Sequence, residues 1–365
     1  MRSRILIVIL SILVSAVSAT DVSGAISSNT TWTSANSPYV VTGNVLVSSG
    51  VTLTIEAGVT VKFSGSYYFY VDGTLIARGN SGSLITFTSN QSSPQKGDWK
   101  YIKFRDSATD ASFSGGSYSS GSIMEYCVVE YGDNNRDDGT NEYYTGMVWC
   151  YKSAPLIKNS TIRKSYGIGL GFTGASGADS LVVLNCTITD NNSIGLSFYG
   201  SGKVSVRNCT ITNDLNIHFG SYGTIESSTF NSSKIWIHGS SNSNREYIKS
   251  CVINNGYLKL SNNSNNYTIT ESIFIGSSGD YTSIDIDEGQ SIYITKCILV
   301  SNNTSEGISF SGNVSGSVPV NYIQECNISG FTDYGISIKN NNVDISKTTI
   351  KDNSTGIFLS NNSNH

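Results

Sequence analysis

A short phrase recurs along this chain and carries six of its seven cysteines. It reads apolar–x–x–Cys/Ser/Thr–x–apolar, as in the stretch from Ile157 to Ile162 around Ser160. We call the central residue the ladder residue, and successive ladder residues lie 19 to 33 positions apart. They are Cys127, Ser160, Cys186, Cys209, Ser228, Cys251, Ser272, Cys297, Cys326 and Thr348. A β-rich unit of this length is too short for a helix plus a strand, so the phrase predicts the stacked coils of a solenoid.

The composition favours strands and turns over helices. The chain has 36 glycines and only 4 prolines, and short β-rich runs alternate with Asn, Gly and Ser turns. A second strand follows most phrases and often opens with Gly-Ile, as at Gly335-Ile336. At about 22 residues per coil, we predict an all-β solenoid of roughly a dozen coils.

The N-terminus has the pattern of a secretory signal peptide. Arg2 and Arg4 precede the apolar run from Ile5 to Val14, and small residues for cleavage follow at 17–19. The run is too short to span a bilayer, so we predict a signal peptide over 1–19, with an uncleaved anchor as the alternative. N-terminal coils over 20–122 then lead into a continuous repeat region over 123–365. We expect a secreted or cell-surface protein, and 14% charged residues with a net charge of −4 argue against nucleic acid as a partner.

The cysteines of an exported chain would ordinarily indicate disulfides. Here only Cys186 with Cys209 and Cys297 with Cys326 are consecutive ladder residues, so only these could pair. Because Cys, Ser and Thr interchange at the ladder position, we interpret the cysteines as buried reduced thiols in an inward row. Cys150 lies outside the ladder.

Four stretches carry a resemblance to a known fold family. They are 51–63 (VTLTIEAGVTVKF), 73–79 (GTLIARG), 97–104 (GDWKYIKF) and 124–132 (MEYCVVEYG). The chain resembles the right-handed parallel β-helix proteins of the pectin-lyase-like superfamily, and more narrowly bacterial and archaeal cell-surface β-helix repeat proteins, including NosD-like ones. The resemblance covers nearly all of the mature chain and implies a single-stranded right-handed parallel β-helix. It leaves function open, because this architecture hosts lyases, hydrolases, epimerases, adhesins and scaffolds.

Two outward rows follow the ladder residues. From Ser160 onward neither row contains a carboxylate, so this face lacks the paired acids of general acid–base catalysis. The charged residues just before the ladder alternate in sign and predict a surface ion-pair row. They are Lys158, Arg207, Glu226, Lys249, Glu271, Lys296, Glu325 and Lys347.

The outward positions of the second strands hold the most varied side chains. They include His218, Trp236, His238, Lys259, Asp285 and Asp287. One hypothesis is a ligand-binding patch at His218, Trp236 and His238 for sugar or a transition metal, since neutral imidazole suits copper or zinc. The alternative is an unremarkable surface, because no third ligand is identifiable.

The longest step between ladder residues, from Cys127 to Ser160, predicts a projecting loop. Asp133, Asn135, Asp137 and Asp138 are oxygen donors at spacings that broadly resemble a calcium loop. A solvated acidic loop is the alternative, because the glycine and glutamate are displaced from the EF-hand pattern. Tyr143, Tyr144 and Trp149 follow and are candidates for stacking on sugar rings.

The leading hypothesis is a non-catalytic scaffold or recognition protein that binds polysaccharide or neighbouring cell-envelope proteins. The catalytic stretches of alginate epimerases, polygalacturonases and pectate lyases have no counterpart here, so no catalytic residue is assigned. One alternative is a polysaccharide lyase, hydrolase or epimerase with a divergent site, and another is a NosD-like metal-related accessory protein. The sequence ends inside a repeat, which predicts self-association through an uncapped C-terminal end.

Overall fold

The repeated phrase forms the corner between two β-sheets. The computed structural model describes residues 19–133, 146–174, 180–200, 202–212, 216–219, 222–232, 234–238, 246–261, 266–276, 279–287, 291–311, 320–339 and 341–360. The apolar residue that opens each phrase belongs to a strand of one sheet, which we call sheet B. The ladder residue turns the chain into the ladder strand, and a second strand follows; both belong to the larger sheet A.

The strands fall into three columns, with one strand of each column in a typical coil. Sheet B comprises Thr30–Trp32, Thr52–Ile55, Thr74–Arg78, Ile123–Glu125, Leu156–Lys158, Ser180–Leu184, Lys203–Arg207, Tyr222–Glu226, Glu246–Lys249, Tyr267–Thr270, Tyr293–Thr295, Asn321–Gln324 and Val343–Ser346. The ladder strands are Thr60–Phe63, Ile85–Ser89, Cys127–Glu130, Thr161–Arg163, Thr187–Thr189, Thr210–Thr212, Thr229–Asn231, Val252–Asn254, Ile273–Ile275, Ile298–Val300, Asn327–Ser329 and Thr349–Lys351. The second strands are Phe69–Val71, Ile102–Phe104, Val148–Tyr151, Leu170–Gly174, Ile194–Gly200, Asn216–Phe219, Lys234–His238, Tyr257–Ser261, Gly279–Asp287, Thr304–Ser311, Tyr334–Lys339 and Thr355–Ser360. Thr20–Ile26 and Tyr39–Val47 each run through both columns of sheet A.

Every strand of the two sheets pairs in parallel with the equivalent strand of the neighbouring coil. Ile162 lies opposite Ile188, which lies opposite Ile211, so apolar side chains stack from coil to coil. The described residues place 13 strands in sheet B, which confirms the prediction of about a dozen coils. The fold is the predicted right-handed parallel β-solenoid. The pairing of Thr74–Arg78 with Ile123–Glu125 joins the N-terminal coils to the repeat region.

One continuous apolar core fills the interior. Val, Ile, Leu and Phe alternate with outward residues along each strand, as the two-residue period of a β-strand requires. Phe172 and Phe198 pack edge to face at 6.4 Å between ring centroids, and Cys150 occupies the same inward row as Phe172. All seven cysteines are buried free thiols.

Each ladder residue follows a corner residue with a left-handed backbone. The ten residues directly before the ladder residues all have φ between 50° and 56°. Asparagine occupies this corner at 159, 185 and 208, and it adopts left-handed geometry more readily than most residues. The side-chain amides of these asparagines also form an external row, in which Asn185 Nδ2 donates to Asn159 Oδ1 at 2.9 Å.

The ladder side chains form hydrogen bonds within and between coils. In all ten coils the Sγ–H or Oγ–H donates to the backbone carbonyl two residues earlier. In five coils the same atom also accepts the backbone N–H of the preceding ladder residue, as Ser228 Oγ does from Cys209 N at 3.1 Å. Burial raises the pKa of the Cys127 thiol, and that of Cys251 to about 11, so both stay protonated donors at neutral pH. The position therefore favours a small side chain that both donates and accepts.

The charges before the ladder form two rows, which corrects the single alternating row expected from the sequence. Lys158, Arg207, Glu226 and Lys249 end strands of sheet B, two residues before the ladder. The other charges, Glu271, Lys296, Glu325 and Lys347, occupy the left-handed corner one residue later. The two positions are offset along the chain, and Lys249 Nζ lies 3.9 Å from Glu271 Oε2.

Glycine opens several second strands because the backbones of successive coils approach closely there. A Cβ on Gly307 would lie 2.5 Å from the carbonyl oxygen of Gly335, and one on Gly335 would lie 2.8 Å from that of Gly356. This contact accounts for the Gly-Ile openings seen in the sequence.

Two features depart from the regular coil. The hairpin Ser112–Ser114 with Ser117–Ser120 covers part of sheet B and encloses a depression of about 520 Å³ beside Ile76, Arg78 and Tyr118. At the last described coil, Ile357 and Leu359 are 43% and 70% exposed. The described residues also contain one 3₁₀ turn, Ser34–Asn36, and no helix long and apolar enough to cross a membrane.

Candidate functional site

The outward face of the second strands holds the most varied side chains of the described surface. Its first row runs in register through Tyr70, Lys103, Trp149, Gly171, Ser197, His218, Trp236, Lys259, Asp285 and Ser309. A second row lies two residues further along each strand and includes Tyr151, Thr173, Tyr199, His238, Ser261, Asp287 and Ser311. Both rows follow the long axis, so groups from distant parts of the sequence share one surface.

Aromatic and cationic side chains gather at the N-terminal end of this face. We call Tyr68, Tyr70, Tyr101, Arg105 and Tyr151 the tyrosine–arginine cluster. Tyr68 stacks on Tyr70 at 4.1 Å between centroids, and the Tyr70 hydroxyl lies 3.2 Å from that of Tyr101. The Arg105 guanidinium lies 4.6 Å from the Tyr70 ring centroid. Tyr70 and Tyr151 are half-buried, which leaves part of each ring accessible.

An ion pair holds the guanidinium in place. Arg105 Nε donates to Asp72 Oδ1 at 2.6 Å, and its Nη2 also donates to the Asp72 carboxylate. The hydrogen bond to Asp72 raises the pKa of Arg105 and outweighs the opposing effect of burial. A depression of about 460 Å³ lies here, lined by Asp72, Lys103, Arg105, Asp106, Ser107 and Tyr151. Concavity, aromatic rings and a few fixed polar groups are the usual features of a ligand site.

The sequence prediction for Trp149 needs correction. Trp149 lies in the strand Val148–Tyr151 and not in a projecting loop, and its ring is 0% exposed. The Lys103 ammonium lies 3.3 Å from its ring centroid, a cation–π contact. Trp149 is therefore buried beneath Lys103 and is not available to stack on a sugar.

Asp133, the first proposed calcium ligand, is also engaged within the protein. Its Oδ2 accepts hydrogen bonds from Ile168 N at 2.6 Å and from Ser165 Oγ at 3.1 Å, and the residue is 6% exposed. These contacts hold the segment that leads into the second strand Leu170–Gly174 of the following coil. Asn135, Asp137, Asp138, Tyr143 and Tyr144 lie outside the described residues, so the rest of the calcium hypothesis stays a prediction.

A second group of polar and aromatic side chains lies further along the same face. We call Trp236, Lys259, Ser261, Asp285 and Asp287 the Trp236 patch. Trp236 is 39% exposed, and its indole N–H donates to Ser261 Oγ at 2.7 Å. Lys259 Nζ lies 3.2 Å from Asp285 Oδ2 and 3.9 Å from Asp287 Oδ2. Burial lowers the pKa of Lys259, but the two carboxylates outweigh it and raise the pKa overall.

The two candidate histidines occupy different rows. His218 lies opposite Trp236 in the first row, whereas His238 lies opposite Ser261 in the second. The described residues contain no group of three or more His, Cys, Asp or Glu side chains placed to hold a metal ion.

The ladder-strand face has the composition expected from the sequence. Thr161, Thr187, Thr210 and Thr229 stack in register in the row after the ladder. The row two residues further passes through Lys62, Thr88 and Glu130, and Glu130 Oε2 lies 2.7 Å from Arg163 Nη2. This single carboxylate is paired, so the face keeps the hydroxyl and amide character predicted for it.

The sequence interpretation missed the tyrosine–arginine cluster. Its residues come from three coils, and the early coils lack the ladder phrase that aligned the later ones. One signal was available, because 70–72, 103–105 and 149–151 (YVD, KFR and WCY) each place outward residues on either side of a buried one. Aligning these triplets brings Tyr70, Lys103 and Trp149 into one row.

The strand registers and the closed apolar core define the class: this chain is a right-handed parallel β-helix protein. Residues 145–299 match the family model described as right handed beta helix region. The resemblance noted in the sequence is thereby confirmed at the level of this class. The comparison with curated proteins returns no match.

Several solved structures have a similar backbone fold. The catalytic domain of a GH87 alpha-1,3-glucanase in complex with tetrasaccharides is 12% identical with a TM-score of 0.48, covering 85% of this chain and 64% of that one. The A-module of the Azotobacter vinelandii mannuronan C-5 epimerase AlgE4 is 13% identical with a TM-score of 0.35, covering 88% and 90%. A mannuronic acid specific polysaccharide family 6 lyase from human gut microbiota is 10% identical with a TM-score of 0.37, covering 85% and 81%. The chain thus spans about two thirds of the glucanase domain.

Proposed function

We propose that this protein is an exported β-helix scaffold that recognises polysaccharide through the outward face of its second strands, without catalysing a reaction on it. Export rests on the signal-peptide pattern of residues 1–19. Binding of neighbouring envelope proteins and self-association through the C-terminal end belong to the same proposal, and the exposed Leu359 supports the latter.

The tyrosine–arginine cluster is the observation that carries this proposal. A sugar presents an apolar ring face and polar hydroxyls. Partly exposed tyrosine rings can stack on the ring face, and the oriented guanidinium beside them can donate hydrogen bonds to the hydroxyls. The Trp236 patch repeats the combination of an aromatic ring with fixed charges. The two lie on the same rows six coils apart, about 29 Å at 4.8 Å per coil, so an extended polymer along the axis can contact both.

Binding by this face can be tested on a glycan array, followed by titration of the polysaccharide that gives the strongest signal. We expect Tyr70→Ala/Tyr151→Ala and Trp236→Ala each to weaken binding about tenfold, because each removes an accessible ring. Tyr293→Ala is the matched control. It removes a half-buried ring on the outside of sheet B, stacked on Tyr322 at 4.8 Å.

Equal losses in all three variants, or no binding to any glycan, would refute recognition by this face. The same polysaccharide is incubated with the protein, with and without calcium, and assayed for reducing ends and unsaturated products. Turnover would establish the enzyme alternative. Its loss in Asp137→Ala/Asp138→Ala would place the site at the loop predicted from the sequence.

A further inference from the structure

Four β-branched side chains form an apolar patch on the ladder-strand face, which otherwise presents mainly hydroxyl and amide groups. Ile273 and Ile275 lie on one coil, and Ile298 and Val300 lie opposite them on the next. Ile275, Ile298 and Val300 are 37%, 42% and 40% exposed. One exposed aliphatic residue is ordinary, but three exposed ones beside the half-buried Ile273 indicate an interaction surface. We call these four residues the isoleucine patch. Val252, also half-buried, lies opposite Ile273 and extends the row to the preceding coil.

The fold does not require apolar residues at these positions. The same two rows carry Thr187 with Thr189 and Thr210 with Thr212 in earlier coils, and those strands pair in the same register. Threonine is as good a strand former as isoleucine on an exposed face. Folding of the solenoid therefore does not explain the apolar character of the patch, whereas contact with another molecule would.

Opposite charges flank the patch along one edge. Glu271 and Lys296 occupy the left-handed corners of these two coils, at φ of 53° and 54°. Asparagine fills this corner in three earlier coils and adopts the geometry more readily. The Glu271 side chain is 45% exposed, and Lys296 is exposed. Backbone preference does not account for either charge, and within its own copy Glu271 contacts only Lys249 at 3.9 Å and the Ser250 hydroxyl at 3.2 Å among the described side chains.

We propose that the isoleucine patch is a homodimer interface, in which a second copy packs face to face about a two-fold axis parallel to the strands. The axis passes between the coil of Ser272 and the coil of Cys297. It sets Ile273 and Ile275 against the partner's Ile298 and the partner's Val300. It also sets Glu271 against the partner's Lys296, and Lys296 against the partner's Glu271.

Self-complementarity favours a second copy over another partner. A single two-fold operation covers all four apolar side chains and pairs both corner charges, as an isologous interface requires. Two sheets packed face to face bury such rows between them. Each copy contributes only four apolar side chains, so we expect a weak dimer with a Kd on the order of micromolar.

Sedimentation equilibrium of the mature full-length protein over a range of concentrations tests this interface. We expect Ile298→Thr/Val300→Thr to weaken dimerisation about tenfold or more, with circular dichroism unchanged because both rows accept threonine elsewhere. Lys296→Glu is expected to weaken it as well, since it sets glutamate against the partner's Glu271. The double exchange Glu271→Lys/Lys296→Glu restores the pairing and is expected to restore the dimer.

Two controls separate this interface from other modes of association. Lys203→Glu makes the same charge change at an exposed position on sheet B and is expected to leave the dimer intact. Leu359→Ser removes the most exposed large apolar side chain of the last described coil. A wild-type protein that stays monomeric at the highest concentration overturns the proposal. So does a dimer lost in Leu359→Ser but kept in Ile298→Thr/Val300→Thr.

Discussion

The ladder residue shows how one side chain links two neighbouring coils. Ser228 Oγ donates to the Glu226 carbonyl at 2.9 Å and accepts the Cys209 N–H at 3.1 Å, inside the core. Without them the buried Cys209 N–H would lose its partner, and such a loss costs more than the bond itself contributes. The Glu226 carbonyl would still accept the Asn208 N–H at 3.0 Å. The hydrogen bonds therefore explain why Cys, Ser and Thr interchange at this position while alanine and valine are absent from it.

Substitution of Ser228 separates hydrogen bonding from packing. We expect Ser228→Ala to lower the free energy of unfolding by about 1–3 kcal/mol, because the buried Cys209 N–H loses its partner. Ser228→Cys keeps a donor and an acceptor and is expected to cost less than about 1 kcal/mol. Urea denaturation followed by circular dichroism measures both.

Ser197→Ala is the control for this pair. Ser197 is equally buried, but its Oγ has no hydrogen-bond partner among the described residues, so we expect its replacement to change stability by no more than about 0.5 kcal/mol. Equal costs at positions 197 and 228 would show that the ladder bonds contribute little.

At the scale of the strand, ion pairs secure the junction between the N-terminal coils and the repeats. Glu125 ends a strand of sheet B and is 6% exposed. Its Oε2 lies 2.9 Å from Arg78 Nη2 on the preceding coil, and its Oε1 lies 2.9 Å from Lys158 Nζ on the following one. Burial raises the pKa of Glu125, but the hydrogen bonds from Lys158 and Arg78 outweigh it and hold the pKa below its usual value.

Stability is expected to depend on pH through Glu125. Because its pKa is lower in the folded protein, its ionised form stabilises the fold above the unfolded-state pKa of about 4.3, and this contribution is lost as pH falls through the folded-state value. We expect Glu125→Gln to cost about 1–2 kcal/mol at pH 7 and progressively less below about pH 4. Denaturant titrations from pH 3 to 7 measure the difference.

Glu325→Gln serves as the comparison. Glu325 is 48% exposed and lies 4.0 Å from Lys347, so its replacement is expected to cost less than about 0.5 kcal/mol at any pH. A cost for Glu125→Gln that stays constant between pH 3 and 7 would contradict the assigned role.

Local sequence was sufficient to predict the fold because each coil repeats one corner. The Cys/Ser/Thr phrase predicted the coil register, and the rows of Thr161, Thr187 and Thr210 follow from it. The hydrogen bonds of the ladder were not predicted, since a small side chain in an inward row is equally consistent with packing. The tyrosine–arginine cluster was missed because Tyr70, Arg105 and Tyr151 come together only through register, and the coils of Tyr70 and Arg105 lack the phrase. The surface of a solenoid depends on which outward residues of neighbouring coils lie side by side. Where the repeat is irregular, the spacing of residues along the sequence does not show which of them are neighbours.

At the scale of the whole molecule, the described coils form one rod of about 60 Å at 4.8 Å per coil. Each coil contacts its neighbours along three columns of parallel strands, so stability accumulates from similar nearest-neighbour interfaces. The interior is apolar along its length, and the cysteines are part of that packing. Covalent cross-links are not needed to hold such a structure together.

Thiol chemistry offers a check on this picture. We expect no thiol of the native protein to react with Ellman's reagent, because all seven are buried, and seven to react after denaturation without reductant. The thermal unfolding midpoint is expected to be the same with and without dithiothreitol. Fewer than seven reactive thiols in the denatured, unreduced protein would reveal a disulfide and overturn the assignment of free thiols.

The ladder corner also bears on how such a molecule can change over evolutionary time. All ten corners have the same left-handed backbone followed by a small ladder side chain, and at five of them that side chain accepts an N–H from the coil before it. A duplicated coil therefore inserts between two existing ones without changing either junction. Length becomes a freely adjustable trait, lengthening in steps of about 4.8 Å. The distance between two surface groups along the axis is then set by the number of coils between them, and it changes when a coil is added or removed.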